Sequence, residues 1–211
     1  RSLARANAAI ASGAFDREIV AVEIVGRKGT ETVSVDEQPG KANPDKIPTL
    51  RPAFAKDGTI TAANASSISD GAAALVVTKK SVAEAQGLTV AATIVSWATN
   101  SQEPSKFTSA PVPAIRKVME KAGWSVADVD LFEINEAFAM VPMIAMKELG
   151  IPAEKLNVNG GGTALGHPIG ASGARIIATL IAALQNRGLK RGVAALCIGG
   201  GEGTAIAVEV A

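Results

Sequence analysis

Strand and helix patterns alternate along most of this chain, and that alternation constrains the fold more than any other feature. From Ile60 onward, short apolar segments typical of strands alternate with amphipathic segments typical of helices, several of them followed by glycine. Each such element leaves an apolar face that must be buried against another layer. The sequence therefore predicts a layered α/β fold, a mixed sheet with helices on both faces.

The predicted elements follow from hydrophobic periodicity and from glycine and proline punctuation. Strands are predicted over Ala72–Thr78 and Ala92–Ala98, both buried, and over Leu131–Ile134, Leu156–Asn159, Val193–Ile198 and Thr204–Val210. Helices are predicted over Ser81–Gln86, Val112–Ala122, Glu136–Leu149 and Ser172–Asn186. The last two strands flank a short glycine loop, so we expect an antiparallel hairpin. Upstream, we expect a helix over Ser2–Ser12, a strand over Ile19–Ile24 and an irregular polar lobe from Arg27 to Ile60.

Composition argues against several classes of function. The 21 basic and 20 acidic residues nearly balance and are scattered, which argues against a nucleic-acid-binding surface. The longest apolar runs fall far short of the ~20 residues that a membrane span needs. A single cysteine excludes an internal disulfide, and with a single histidine it argues against a His/Cys metal cluster. Neither a dinucleotide fingerprint nor a phosphate-binding P-loop is present.

The only imidazole and the only thiol of the chain both lie in glycine-rich loops. His167 lies within the glycine-rich string 157–175, and Cys197 opens the sequence Cys-Ile-Gly-Gly-Gly. Glycine lets the backbone approach a ligand closely, and imidazole is the side chain that titrates nearest to neutral pH. Either residue alone could be structural. Together they indicate a shared active site, where we expect the loops of Asn135, His167 and Cys197 to converge.

Four segments resemble the thiolase family, whose members make or cleave β-ketoacyl thioesters of coenzyme A (CoA). They are 64–74, 135–139, 159–175 and 197–201, in the order found in the family. The resemblance implies a layered thiolase-like fold of which this chain holds the C-terminal half. Residues 1–60 would be the remainder of the CoA-binding loop domain with its return to the core, and residues 61–211 the C-terminal thiolase-like domain.

The resemblance implies catalytic roles at four positions. His167 is similar to the histidine that activates the acyl-accepting cysteine and helps to form an oxyanion hole, in which Asn135 would position a water. Cys197 is similar to the cysteine that removes the α-proton of the second acyl-CoA, and the Gly199 N–H would contribute to the second oxyanion hole. The glycine loop and the imidazole are expected to lower the pKa of the Cys197 thiol. From sequence alone, Asn135 could instead cap a helix that begins at Glu136.

Five further positions match substrate contacts of the family. Ser66, Ala62 and Phe54 match residues along the pantetheine arm, whereas Phe107 and Phe138 match residues that line the acyl end of the tunnel. Taken singly, the serine could be an ordinary loop residue and the phenylalanines could be core. Two departures from the family stand out. Ser67 occupies a position where glycine is often found. Some members carry an arginine near Pro39–Lys41 that meets the CoA phosphates, whereas the nearby basic residues here are Arg27, Lys28 and Lys41.

The nucleophilic cysteine of the family has no counterpart in this chain, because Cys197 is its only cysteine. The resemblance thus implies the C-terminal part of an acyltransferase of the acetyl-CoA C-acetyltransferase class, inactive alone and completed by its own N-terminal half. Its substrate would be a CoA thioester, with no covalently bound cofactor and no metal. We also expect a homodimer or homotetramer in the cytoplasm, serving fatty acid or ketone metabolism. The alternative is a non-catalytic thiolase-like binding or scaffold subunit.

Overall fold

A four-stranded mixed sheet forms the centre of the computed structural model, which describes residues 1–210. Numbered along the chain and given in spatial order, its strands are β3 (Thr93–Ser101), β6 (Glu202–Glu209), β5 (Arg191–Ile198) and β4 (Leu131–Ile134). β6 pairs antiparallel with both β3 and β5, whereas β4 pairs parallel with β5. The predicted hairpin of the last two strands is confirmed, with Ile198 opposite Glu202 at its turn.

Helices cover both faces of this sheet. On one face lie α3 (Pro111–Ala122) and α4 (Met140–Leu149), with a core built from residues such as Ile115, Val141 and Val193. The other face packs against α6 (Ser172–Arg187), through residues such as Leu180 and Leu184. The layered α/β fold expected from the sequence is therefore confirmed.

The remaining elements surround this core. They are α1 (Ser2–Ala11), the hairpin β1 (Val22–Gly26) and β2 (Gly29–Val33), α2 (Lys80–Ala85), the short α5 (Gly162–Leu165) and 3₁₀ turns at Pro39–Lys41, Pro44–Thr49, Pro104–Ser109, Val126–Asp128 and Ala153–Lys155. The predicted strand at Ile19–Ile24 begins later, at Val22, because its register is set by the partner strand β2. No helix within residues 1–210 is long and apolar enough to cross a membrane.

The C-terminal ends of the helices are where sequence and structure agree best. α3 ends at Gly123, whose φ of 69° is in the left-handed region that favours glycine. Helices α1, α2 and α6 lie within one residue of their predicted bounds at each end. Local backbone chemistry determines these positions, so sequence patterns locate them well.

The two strands predicted as buried differ from expectation. Ala72–Thr78 is not a strand, and Val76 and Val77 are 96% and 71% exposed. The segment beginning at Ala92 does form β3, but β3 lies at the sheet edge and is mostly exposed. Apolar runs predict buried strands only where a neighbouring strand and layer are available, and residues 1–210 supply neither for 72–78.

The strand predicted at Leu156–Asn159 is wrong, because the Asn157 side chain makes hydrogen bonds that the backbone of a strand would make. Leu156 forms a single bridge with Phe132, after which Asn157 turns away with a φ of 48°. The Asn157 side chain then accepts from the Ile134 N–H and donates to the Ile134 carbonyl, both at 2.8 Å. The amide thus makes the two hydrogen bonds that a strand residue would have made with β4.

The helix predicted from Glu136 begins at Met140 instead. Residues 136–139 pair with the 64–66 segment: Ser66 N–H donates to the Ala137 carbonyl at 3.0 Å, and Ala139 N–H donates to the Asn64 carbonyl at 2.8 Å. These tertiary hydrogen bonds replace the first helical turn. Asn135 therefore caps no helix, and the capping alternative is wrong.

Helix α1 is fastened to the loops that follow α4 through one guanidinium. Arg5 donates to the carbonyls of Ala153 at 2.9 Å, of Leu156, and of Asn157 at 3.3 Å. Leu156 and Asn157 are buried, so Arg5 satisfies acceptors that water does not reach freely.

Replacing Arg5 by alanine should lower the free energy of unfolding by about 1–3 kcal/mol, because buried carbonyls lose a charged donor. Urea unfolding of the chain measures this, with Arg51→Ala as the matched control at an exposed arginine. Arg5→Lys should fall between the two. Equal stabilities of Arg5→Ala and Arg51→Ala would contradict the anchoring role.

Candidate active site

The carboxyl ends of the parallel strands β4 and β5 meet at one edge of the sheet, and polar groups gather there. Asn135 directly follows β4, is fully buried, and donates its backbone N–H to the Ala195 carbonyl of β5 at 2.9 Å. Cys197 lies two residues further along β5. Sites in open α/β sheets are commonly built at this edge.

His167 contacts Asn135 directly. The Asn135 Nδ2 lies 3.3 Å from His167 Nε2 and 3.5 Å from Nδ1. On its other side, His167 Nδ1 lies 2.6 Å from the hydroxyl of Ser172, the first residue of α6. The imidazole is half-buried, whereas both of its partners are fully buried. Two predicted catalytic residues, 32 positions apart, are thus brought into one cluster.

The donors and acceptors around the ring favour one tautomer. Ser172 Oγ lies 3.0 Å from the Pro168 carbonyl and donates its proton there. The hydroxyl then accepts from His167 Nδ1–H, which leaves Nε2 unprotonated, with the Asn135 amide nitrogen 3.3 Å away. This arrangement leaves Nε2 able to act as a base.

Burial keeps the imidazole neutral. It lowers the pKa of His167 below its usual value, and the positive charge of Arg175 acts in the same direction. Arg175 donates a hydrogen bond to buried Glu133, with 3.2 Å between Nη1 and Oε1. Burial raises the pKa of Glu133 to about 8, and Arg175 opposes that rise.

A buried carboxylate holds the glycine-rich string 157–175 against the end of β4. Glu136 accepts from Asn157 Nδ2 at 3.0 Å, from the Thr163 hydroxyl at 2.5 Å and from the Thr163 N–H at 3.2 Å. Gly161 passes so close that a Cβ there would lie 2.5 Å from the carboxyl carbon of Glu136. Glu136 therefore fixes the loop that carries His167.

Cys197 and Gly199 lie on the neighbouring hairpin. The Cys197 side chain faces the core that β5 shares with α3, where the residue is 6% exposed. Gly199 is exposed at the start of the turn between β5 and β6. Within residues 1–210 no hydrogen bond links the Cys197 thiol to His167, so their cooperation stays a prediction.

The pKa of Cys197 departs from our expectation. We expected the glycine loop and the imidazole to lower it, but burial raises the pKa of this thiol. The surroundings within residues 1–210 therefore favour the protonated thiol, which is a poor base.

The five predicted substrate contacts differ in how far the fold buries them. Ser66 donates both its N–H and its hydroxyl to the Ala137 carbonyl, each at 3.0 Å. The rings of Phe107 and Phe138 meet edge to face with centroids 6.2 Å apart, beside the core. Ala62 is exposed in a turn, and Phe54 is 78% exposed. The binding roles of all five stay predictions.

Sequence reasoning missed Ser172 and Glu136 as partners of the site. A serine five residues after the only histidine, at the start of a predicted helix, was the available signal for the first. For the second it was a carboxylate beside Asn135 in an apolar segment. Among the described residues no group of three His, Cys, Asp or Glu side chains could hold a metal ion.

Comparison with known protein families identifies the family of this chain. The family described as "Thiolase, C-terminal domain" matches residues 88–210, and "Thiolase, N-terminal domain" matches residues 1–81. The chain belongs to the thiolase family. The boundary that we expect between residues 60 and 61 stays a prediction.

Relatives within the thiolase family are about twice as long. The chain is 51% identical to "Acetyl-CoA acetyltransferase, cytosolic" of Rattus norvegicus over 208 residues, and 54% identical to "Acetyl-CoA acetyltransferase" of Escherichia coli (strain K12) over 207. Each match spans 97% of this chain but only 52% of the relative. The chain therefore spans about half the length of the curated relatives it matches.

Solved thiolase structures agree with the fold. The Bacillus anthracis acetyl-CoA acetyltransferase superposes with a TM-score of 0.96 at 46% identity, covering 100% of this chain and 54% of that one. The Acat5 thiolase of Ascaris suum, solved in complex with coenzyme A, gives 0.88 at 39% identity, covering 100% and 53%.

Because His167 is the only histidine of this thiolase-family chain, NMR can follow its ring without assignment. We expect its titration midpoint below about 6.5, the usual value, since the buried site beside Arg175 disfavours the cation. Ring ¹⁵N shifts should show the proton on Nδ1 at neutral pH. Ser172→Ala should reduce that tautomer, whereas Ser81→Ala, at an exposed serine, should not. A predominant Nε2–H tautomer in the unsubstituted chain would contradict the arrangement.

Proposed function

We propose that this chain is the C-terminal part of an acyl-CoA thiolase that catalyses reversible Claisen condensation and thiolysis of β-ketoacyl-CoA. The observation that best supports this proposal is the contact between Asn135 and His167, at the same edge of the sheet where β5 carries Cys197. Relatives named acetyl-CoA acetyltransferase support the acetyl-CoA C-acetyltransferase class. The A. suum neighbour in complex with coenzyme A supports a CoA thioester as substrate, with no covalently bound cofactor.

The first half-reaction transfers an acyl group from CoA to a cysteine supplied by another segment, since this chain has only Cys197. Nε2 of neutral His167 takes the proton of that thiol as its sulfur bonds to the acyl carbon. The bond from the acyl carbon to the CoA sulfur then breaks, and the imidazolium returns the proton to this sulfur. The imidazolium and a water held by Asn135 stabilise the developing oxyanion.

The second half-reaction forms the carbon–carbon bond. The Cys197 thiolate removes an α-proton from acetyl-CoA, and the Gly199 N–H stabilises the enolate oxygen. The enolate carbon bonds to the acyl carbon, the acyl bond to the upstream cysteine breaks, and the proton on Cys197 passes to that sulfur. Since burial raises the pKa of Cys197, donors from the other half and the substrate must stabilise the thiolate.

The proposed partner is the N-terminal half of the same thiolase. Two observations support it: the relatives are twice as long, and the apolar segment 72–78 is exposed, with Leu75 38%, Val76 96% and Val77 71% accessible. An apolar run of strand character becomes buried when strands and a layer are added beside it. Assembly into a homodimer or homotetramer, and a cytoplasmic location, stay predictions.

The second candidate is a non-catalytic binding or scaffold subunit. The raised pKa of Cys197 favours the scaffold subunit, because the chain alone provides no activated thiol. Against it stands the joint presence of Asn135, His167, Cys197 and Gly199, which a scaffold does not need. Joining the chain to an upstream half distinguishes the two candidates.

The 211-residue chain alone should show no thiolysis of acetoacetyl-CoA, because covalent acyl transfer lacks its nucleophile. Adding an N-terminal half, such as that of the E. coli relative, should restore turnover and slow hydrogen exchange in residues 72–78. Exchange in α3 should stay unchanged as the internal control. Before the assay, intact-mass spectrometry verifies that no upstream fragment is attached to the purified chain.

Two results would contradict this prediction in different ways. Turnover by the mass-verified chain alone would mean that Cys197 itself carries the acyl group. CoA binding without turnover, despite protection of residues 72–78 by the added half, would support the scaffold subunit.

In the joined enzyme, Cys197→Ala should lower condensation by about 10²–10⁴-fold, as expected for loss of a general base. Acylation of the upstream cysteine, followed by mass spectrometry, should persist because it does not use this thiol. His167→Ala should impair both steps. Ser81→Ala serves as the control, and condensation within threefold of the unsubstituted enzyme after Cys197→Ala would exclude the proton-transfer role.

A further inference from the structure

Ser67, at a position where glycine is often found, joins a small hydrogen-bond network through its hydroxyl. Ser67 Oγ and Ser69 Oγ lie 3.0 Å apart, and Ser69 Oγ also lies 3.2 Å from the Ser67 carbonyl. Each hydroxyl has one proton to donate. The Ser69 hydroxyl donates to the Ser67 carbonyl, so it accepts from the Ser67 hydroxyl. The two serines, here called the serine pair, thus bind each other through both hydroxyls.

This serine pair contacts the loop of His167 through the same carbonyl. The His167 backbone N–H donates to the Ser67 carbonyl at 3.3 Å, and Ile68 forms a parallel bridge with His167. The Ser67 carbonyl thus accepts two hydrogen bonds, one from the Ser69 hydroxyl and one from the His167 N–H. Its position sets where the backbone of His167 can lie.

Because Gly166 has no side chain, there is room beside it for the Ser67 and Ser69 hydroxyls. It has a φ of 84°, and a Cβ there would lie 2.3 Å from Ser69 Oγ and 3.4 Å from Ser67 Oγ. No other residue type fits without moving Ser69. The absent side chain at 166 and the hydroxyls at 67 and 69 are therefore complementary.

We propose that Ser67 is a positioning residue for His167. Its hydroxyl orients Ser69, the Ser69 hydroxyl holds the Ser67 carbonyl, and that carbonyl holds the His167 N–H. A glycine at 67 lacks the first of these hydrogen bonds and also makes the backbone more flexible. Only the kinetic consequence of this proposal rests on the proposed thiolase function.

The test uses the single histidine. Labelling the 211-residue chain with ¹⁵N-histidine gives one backbone amide signal, whose hydrogen exchange reports the His167 N–H bond to the Ser67 carbonyl. Ser67→Ala and Ser69→Ala should each speed this exchange by about 3–10-fold, the equivalent of one net hydrogen bond. Ser67→Thr, which keeps a hydroxyl, should restore slow exchange, and Ser105→Ala is the control at an exposed serine.

Exchange within twofold of the unsubstituted chain in both Ser67→Ala and Ser69→Ala would overturn the proposal, whatever the activity of the joined enzyme. Faster exchange that Ser67→Thr fails to restore would also overturn it, since the hydroxyl would then not be the active group. Circular dichroism shows whether each variant is folded.

In the joined enzyme, Ser67→Ala should lower kcat severalfold with little change in KM, because it displaces His167 and not the substrate contacts. An unchanged kcat alongside faster exchange would overturn the positioning role in catalysis. Absence of turnover in the unsubstituted joined enzyme would count against the proposed function alone, because the exchange result does not depend on it.

Discussion

The candidate site depends on how the end of β4 is held. Asn157 makes two hydrogen bonds to the Ile134 backbone and a third to Glu136, and Glu136 in turn binds Thr163. All of these groups except Thr163 are buried, so an unpaired partner would cost free energy that water could not recover. The network ties the glycine-rich loop to the strand end, and His167 meets Asn135 because the loop is held there.

Burial disfavours charge on three ionisable side chains in and around the site. It lowers the pKa of His167 and raises those of Cys197 and Glu133, in each case favouring the neutral form. A neutral imidazole suits the proposed role in acyl transfer, which starts by taking a proton. A protonated Cys197 does not suit the proposed second step. In the proposed reaction, His167 would be ready to act, whereas Cys197 would need stabilisation of its thiolate by the proposed N-terminal half and substrate.

The distribution of exposed apolar residues agrees with this division. The sheet beneath the site is packed on both faces, whereas residues 72–78 and the hairpin β1–β2 are exposed. A family match to the N-terminal thiolase domain covers both of these exposed regions. The core clusters of the sheet lie in the C-terminal part of the chain, and the exposed regions lie in the segment matched by the N-terminal domain family.

The sequence by itself determined the layered architecture, the C-terminal ends of the helices, the hairpin of β5 and β6, and the family. Those features depend on local chemistry: periodicity, glycine after a helix as at Gly123, and motifs with fixed spacing. Tertiary structure decided the rest. Residues 136–139 pair with residues 64–66 instead of forming the predicted first turn of a helix. The Asn157 side chain takes the place of a predicted strand by hydrogen bonding to Ile134. The partnership of Ser172 with His167 and the raised pKa of Cys197 also arise from neighbours and burial, which no local pattern of residues encodes.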